Sequence, residues 1–128
     1  MIPRGTYQKF TITLPSSNKK IEFRPFLVVN GVTVTFKGDG RYGKRPRTAI
    51  GQRQDGIVLM IVIDGKSMGT GISMPDLTDL FVKYKACNAA NLDGGGSSTL
   101  VINKKLINSP AGWDYTGERW NVDSWIVK

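Results

Sequence analysis

The chemistry of this chain is concentrated in one stretch, Asn91-Leu92-Asp93-Gly94-Gly95-Gly96-Ser97-Ser98. Three successive glycines cost backbone entropy and bring no side-chain packing, so they belong where the backbone must come close to another group or adopt positive φ. Glycine amides can ring an anionic oxygen. Asp93 ahead of them can act as general acid/base or nucleophile, and Ser97 and Ser98 can donate to phosphate or sugar oxygens. The plainer reading is a polar-capped turn, which glycine-rich loops most often are.

Composition narrows the chemistry further. The chain has 128 residues, no histidine, one cysteine and a net charge of +8. Without histidine the commonest neutral-pH acid/base and metal ligand are missing. A single cysteine, Cys87, allows no internal disulfide and, beside the absent histidines, argues against structural zinc. Catalysis falls to carboxylates, hydroxyls, guanidinium groups, lysine amines and backbone amides. The positive balance favours anionic partners. Lys37, Arg41, Lys44, Arg45, Arg47 and Arg53 cluster around one loop, but no nucleic-acid-binding motif accompanies them, so no specific nucleic acid is expected. Apolar runs are too short for a bilayer span, and no signal-peptide pattern opens the chain. Location stays open among cytoplasm, virion and a fragment of an exported protein.

The elements that must carry the loop are mostly strands. Over Thr6 to Leu14, Phe10, Ile12 and Leu14 alternate with polar neighbours as in a half-buried strand, and Ile21 to Phe23 suggests a short strand. Phe26–Phe36 folds back at Asn30-Gly31 as a type I′ hairpin. A second hairpin turns at Asp55-Gly56, and its apolar strand Ile57–Ile63 is expected to be central with both faces covered. Ser73, Pro75 and Asp76 open a helix over about 75–87, with Leu77, Leu80, Phe81 and Tyr84 as its apolar face. Ala89–Leu92 forms a short strand, Thr99–Ile107 a hairpin around Asn103-Lys104-Lys105, and Asn121–Val127 a closing strand. One α+β domain over 1–128 follows: a mixed sheet with β-hairpins and one principal helix.

Ordered pieces of the chain resemble the phosphodiester glycosidase family, most clearly over residues 25–128. They are Leu27-Val28-Val29-Asn30-Gly31, Pro46-Arg47-Thr48-Ala49-Ile50-Gly51, Asp55-Gly56, Val62-Ile63-Asp64-Gly65, Gly71-Ile72-Ser73, Pro75-Asp76-Leu77, Asn91 to Thr99, Asn108-Ser109-Pro110 and Gly117-Glu118-Arg119. The resemblance, in a compact or N-terminally shortened form, implies cleavage of a sugar from a phosphodiester at the anomeric carbon. It implies Asp93, Arg47 and Glu118 as catalytic residues. Thr48, Gly94, Gly95, Gly96, Ser97, Ser98, Asn108 and Arg119 become the substrate contacts. Arg47 would fork onto phosphate oxygens, Arg119 would assist, and Glu118 would orient it or serve as a second carboxylate. Asp64 reads as a turn residue with Gly65.

The implied partner is a phosphate-bearing carbohydrate, and no cofactor is called for. A divalent cation on Asp93 and another carboxylate stays open, although no ligand spacing demands it. A second copy of the chain could complete the pocket as a homo-oligomer. Two other readings stand beside the enzyme: a binding module that grips a phosphate-rich glycan or wall polymer without turnover, for instance on a phage, and a nucleic-acid-binding protein.

Overall fold

The computed structural model describes residues 25–38, 40, 43–66, 69–111, 120 and 124–127. Strands expected at Thr6–Leu14 and Ile21–Phe23 lie outside these residues. So does the first part of the expected closing strand, whose remainder, 124–127, carries no strand.

Five strands form one sheet: β1 (Phe26–Val29), β2 (Val32–Thr33), β3 (Arg47–Arg53), β4 (Val58–Ile63) and β5 (Ala86–Asn91), in the order β2-β1-β5-β3-β4. Every described pairing is antiparallel. A helix, α1 (Met74–Lys83), links the β4 edge back to the middle, and a separate ribbon pairs β6 (Val101–Ile102) with β7 (Lys105–Leu106). This is the expected α+β class, with an antiparallel sheet in place of a mixed one.

Local chemistry sets the turns. Asn30 and Gly31 both take positive φ, 50° and 78°, as a type I′ hairpin requires. Asn103 and Lys104 do the same between β6 and β7, with φ of 50° and 63°. At the helix start the Ser73 hydroxyl accepts from the Asp76 amide at 3.2 Å and donates to the Asp76 carboxylate at 2.6 Å. Pro75 sits in the first turn, where a missing N–H costs nothing. The helix ends earlier than expected, at Lys83, because Lys85 adopts φ 61° and turns the chain straight into β5.

The apolar core lies between α1 and the sheet. Leu77 and Phe81 are fully buried, Met74 nearly so, and Leu80 packs at the margin. Tyr84, expected on that face, is half exposed. Phe81 lies on Gly51 of β3 so closely that a Cβ there would be 2.6 Å from the ring. Ala49 and Ala89 flank this contact with equally short side chains. Burying one such aromatic contributes roughly 1.5–3 kcal/mol. The register of β1 against β5 shifts between Phe26 and Val28, and both Leu27 and Val28 are buried there.

The expectation for β4 is corrected. It is an edge strand, with Val58 and Met60 more than two-fifths exposed. The centre belongs to β5, whose sequence Ala-Cys-Asn-Ala-Ala-Asn carries small side chains. The helix packs over β1 and β5, and short side chains on β5 and β3 let Phe81 settle onto Gly51, so strand hydrophobicity alone does not fix which strand is central.

Candidate active site

Because β5 enters between β1 and β3, its end meets the start of β3. Ala49 faces Asn91, the Leu92 amide donates to the Thr48 carbonyl at 2.8 Å, and the Gly95 amide donates to the Pro46 carbonyl at 3.0 Å. The end of β4 arrives on the other side, with Ile63 opposite Arg47. Three chain segments therefore converge at one end of the sheet, bringing Arg47, Asp64 and the glycine loop into one neighbourhood.

Each glycine of the loop has its own reason. A Cβ on Gly94 would lie 2.8 Å from the Pro46 carbonyl oxygen. Gly95 has φ 63°, which disfavours other residues. Gly96 is buried within a short 3₁₀ turn, Gly95–Ser97. The loop's amides are largely spent on the fold: Gly94 donates to the Asp93 carboxylate at 2.9 Å, Gly95 to Pro46, Ser97 to the Gly94 carbonyl at 3.2 Å and Ser98 to the Gly95 carbonyl at 3.0 Å.

Asp93 is exposed, yet both oxygens are held. Oδ1 accepts from the Gly94 amide and Oδ2 from the Ser97 hydroxyl, each at 2.9 Å. The carboxylate thus has a fixed direction at the surface. Ser98 differs from its neighbour: it is fully buried, and its hydroxyl has no hydrogen-bond partner. Thr48 is half-buried, with its hydroxyl likewise unpartnered.

Arg47 is 6% exposed. Its Nη2 donates to the Gly43 carbonyl at 2.9 Å and its Nε to the Ile72 carbonyl at a long 3.4 Å. Burial, with the neighbouring Arg45 charge, lowers its affinity for the proton relative to a free guanidinium. Arg45 and Ile72 pair through their backbones, and a Cβ on Gly71 would run into the Arg45 carbonyl. Arg47 thereby ties the segment before the helix to the start of β3.

Asn108 is committed on every side. Its Nδ2 donates to the Asp64 carboxylate at 2.7 Å and to the Ser98 carbonyl, and its Oδ1 accepts from the Leu100 amide at 2.7 Å. Asp64 also accepts from the Ser109 amide at 2.9 Å. The turn reading of Asp64 missed this bridge. The available signal was a carboxylate closing an apolar strand, with an Asn-Ser-Pro later in the same ordered set of resemblances. Glu118 and Arg119 lie outside the described residues. The basic cluster is divided: Arg53 stands at the far end of β3 and pairs with Asp55 at 2.6 Å. No helix among the described residues is long and apolar enough to cross a membrane. No grouping of three or more His, Cys, Asp or Glu suited to a metal occurs among them either.

The family model for phosphodiester glycosidase matches residues 5–128. The chain belongs to the phosphodiester glycosidase family. Relatives share about half of it: the SPbeta prophage-derived protein YomE of Bacillus subtilis is 46% identical over 67 residues, 52% of this chain. N-acetylglucosamine-1-phosphodiester alpha-N-acetylglucosaminidase is 37% identical in Bos taurus and 38% in Homo sapiens, each over 65 residues and 51% of this chain. The matched part is only 10–13% of these relatives' own lengths. Among solved structures, a Burkholderia pseudomallei protein aligns over 59% of this chain and 15% of its own, with TM-score 0.53 and 38% identity. A Synechocystis protein aligns over 66% of this chain and 17% of its own, with TM-score 0.54 and 25% identity. As a phosphodiester glycosidase family member, this chain brings together Arg47, Thr48, the loop 93–98 and Asn108, and adds Asp64 to them.

Proposed function

We propose that this chain hydrolyses a glycosyl phosphodiester, with Asp93 as the acid/base or nucleophile. In that reaction a water oxygen bonds to the anomeric carbon, the bond from that carbon to the phosphate oxygen breaks, and the released phosphate monoester and the free sugar share the water's protons. The phosphate is already a good leaving group, so charge neutralisation matters more than proton donation to it. Arg47 supplies positive charge beside the loop, and Arg119 is proposed to add to it. Ser97 and the glycine backbone hold Asp93 against the sugar, and Thr48 lines the same sheet end. Glu118 is proposed as the second carboxylate. Ser98 and Asn108 serve the substrate through the loop they hold. The observation that carries this reading is an exposed carboxylate fixed through both oxygens, on a loop hydrogen-bonded to the strand that bears Arg47. The substrate class is a sugar-1-phosphate diester within a glycan, wall polymer or smaller compound.

The test is free-sugar release from a panel of sugar-1-phosphate diesters, by wild type and Asp93→Asn. Wild type is expected to turn over at least one diester, and the variant to lose about 100-fold or more in rate while melting at the same temperature. Equal turnover by both proteins would remove Asp93 from the mechanism. A second reading is favoured by one observation: the Asp93 oxygens and the Arg47 donors described above are engaged within the fold. A rigid phosphate-glycan binding module would look the same. Saturable diester binding without sugar release across the panel would decide for it.

A further inference from the structure

We propose that Asp64 is a positioning residue for Asp93, acting through Asn108 and the turn Gly95–Ser97. The proposal rests on the reading of Asp93 as the working carboxylate, and it assigns a role to a residue whose sequence context suggests only a turn. Asp64 follows directly on β4, which is paired along its length to β3. It is therefore attached to the sheet rather than to the loop. Its two oxygens take one donor each: Asn108 Nδ2 at 2.7 Å and the Ser109 amide at 2.9 Å.

Asn108 passes this anchorage on. A primary amide has two N–H donors and one carbonyl. Here Nδ2 serves both Asp64 and the Ser98 carbonyl, and the carbonyl serves the Leu100 amide. Ser98 is sealed from solvent, so its backbone has little room to move. Its amide closes the 3₁₀ turn on the Gly95 carbonyl at 3.0 Å, and the preceding Ser97 hydroxyl holds Asp93 Oδ2 at 2.9 Å. The path runs from sheet to Asp64, Asn108, Ser98, Ser97 and Asp93. A carboxylate suits position 64 because it only accepts, and both groups facing it are donors. An amide at position 64 would turn a donor toward the Asn108 or Ser109 N–H, or leave one of them unpaired.

Asp64→Asn tests this by amide hydrogen exchange and by kinetics on the intact chain. If the bridge is only a local tie, exchange accelerates at Leu100 and Ser109 alone. If it positions Asp93, the Gly94, Ser97 and Ser98 amides also exchange about tenfold faster or more, the scale of losing a charged hydrogen bond. The rate of sugar release at saturation should fall about tenfold or more with KM little changed, since misplacement harms chemistry more than binding. The Gly51 and Ala89 amides, in the central strand pair, report whether the fold survives. Should it not, Asp64→Ser, which keeps an acceptor at shorter reach, is read at the same amides. Unchanged exchange at Gly94 and Ser97 in a folded variant would overturn the proposal. The exchange measurement needs no substrate, so a wild type that releases no sugar counts against the proposed activity while the amides still decide the coupling.

Discussion

Strand β3 carries an arginine at each end, and the two are held by opposite means. Arg47, at the start, is buried and donates to the backbone carbonyls of Gly43 and Ile72, one of them 25 residues away. Arg53, at the finish, is one-third exposed and pairs with Asp55 only two residues on. The start of the strand is where β4 and β5 end and where the glycine loop docks. The finish is an ordinary hairpin turn. Identical side chains in one strand thus do different work: one ties the loop at Gly43 and the segment before the helix to the start of β3, beside a candidate active site, and the other tidies a surface.

The sharpest way to break this comparison is Arg47→Met. Methionine keeps much of the buried stem but takes this donor from the Gly43 carbonyl, while the Ile72 carbonyl keeps the Arg45 amide. The expected loss is about 1–3 kcal/mol, because a polar group left unsatisfied away from water carries its desolvation penalty. A lower urea midpoint at unchanged slope measures it. Arg47→Lys should fall between, since an ammonium lacks the planar fork that reaches two carbonyls at once. A Met variant as stable as wild type would mean that the Gly43 carbonyl finds another partner, and that Arg47 is kept for charge alone.

Glycines repeat the contrast on a smaller scale. At Gly94 a Cβ would meet the Pro46 carbonyl oxygen at 2.8 Å, and that carbonyl already holds the Gly95 amide. Gly94→Ala is therefore expected to cost about 1–3 kcal/mol and to push the loop off the strand, lowering sugar release as well as the melting temperature. At Gly56, in the far hairpin, a Cβ meets nothing within 4 Å, but φ is 87°. Gly56→Ala should cost about 1 kcal/mol from backbone strain and leave sugar release unchanged. Equal effects on activity would erase the distinction between the two ends.

What the sequence could reveal divides along the same line. Short-range chemistry was legible: Asn30-Gly31 demands a tight turn, Ser73 three residues before Asp76 marks a helix start, and three glycines after Asp93 mark a constrained loop. Long-range pairing was not. The run Val58–Ile63 is apolar enough for a central strand, yet it lies at the edge, while the short side chains of Ala89, Ala49 and Gly51 lie beneath Phe81. A hydrophobic pattern reports that a face is wanted somewhere, not which strand lies beside which. In the site, Asp93 and Arg47 could be singled out by residue type and motif. The Asp64–Asn108 bridge spans 44 positions, and nothing local to either residue announces the other.

The smallest expected effect completes the comparison. Arg53→Ala removes an ion pair whose partners are 33% and 46% exposed. Exposed pairs of this kind contribute at most about 1 kcal/mol, since water screens the attraction and ordering two side chains offsets it. Asp55 keeps a turn role without the arginine, its Oδ1 accepting from the Ile57 amide at 3.3 Å. The variant should melt nearly with wild type, the small difference shrinking further in high salt, and release sugar at the same rate. Double-mutant cycles would sharpen this: Arg53→Ala with Asp55→Ala should show a coupling well below that of Asp64→Asn with Asn108→Ala at the other end, where both residues also hold backbone. If the hairpin pair coupled as strongly as the bridge, the asymmetry of the sheet would lie in burial alone and not in how its two ends are tied.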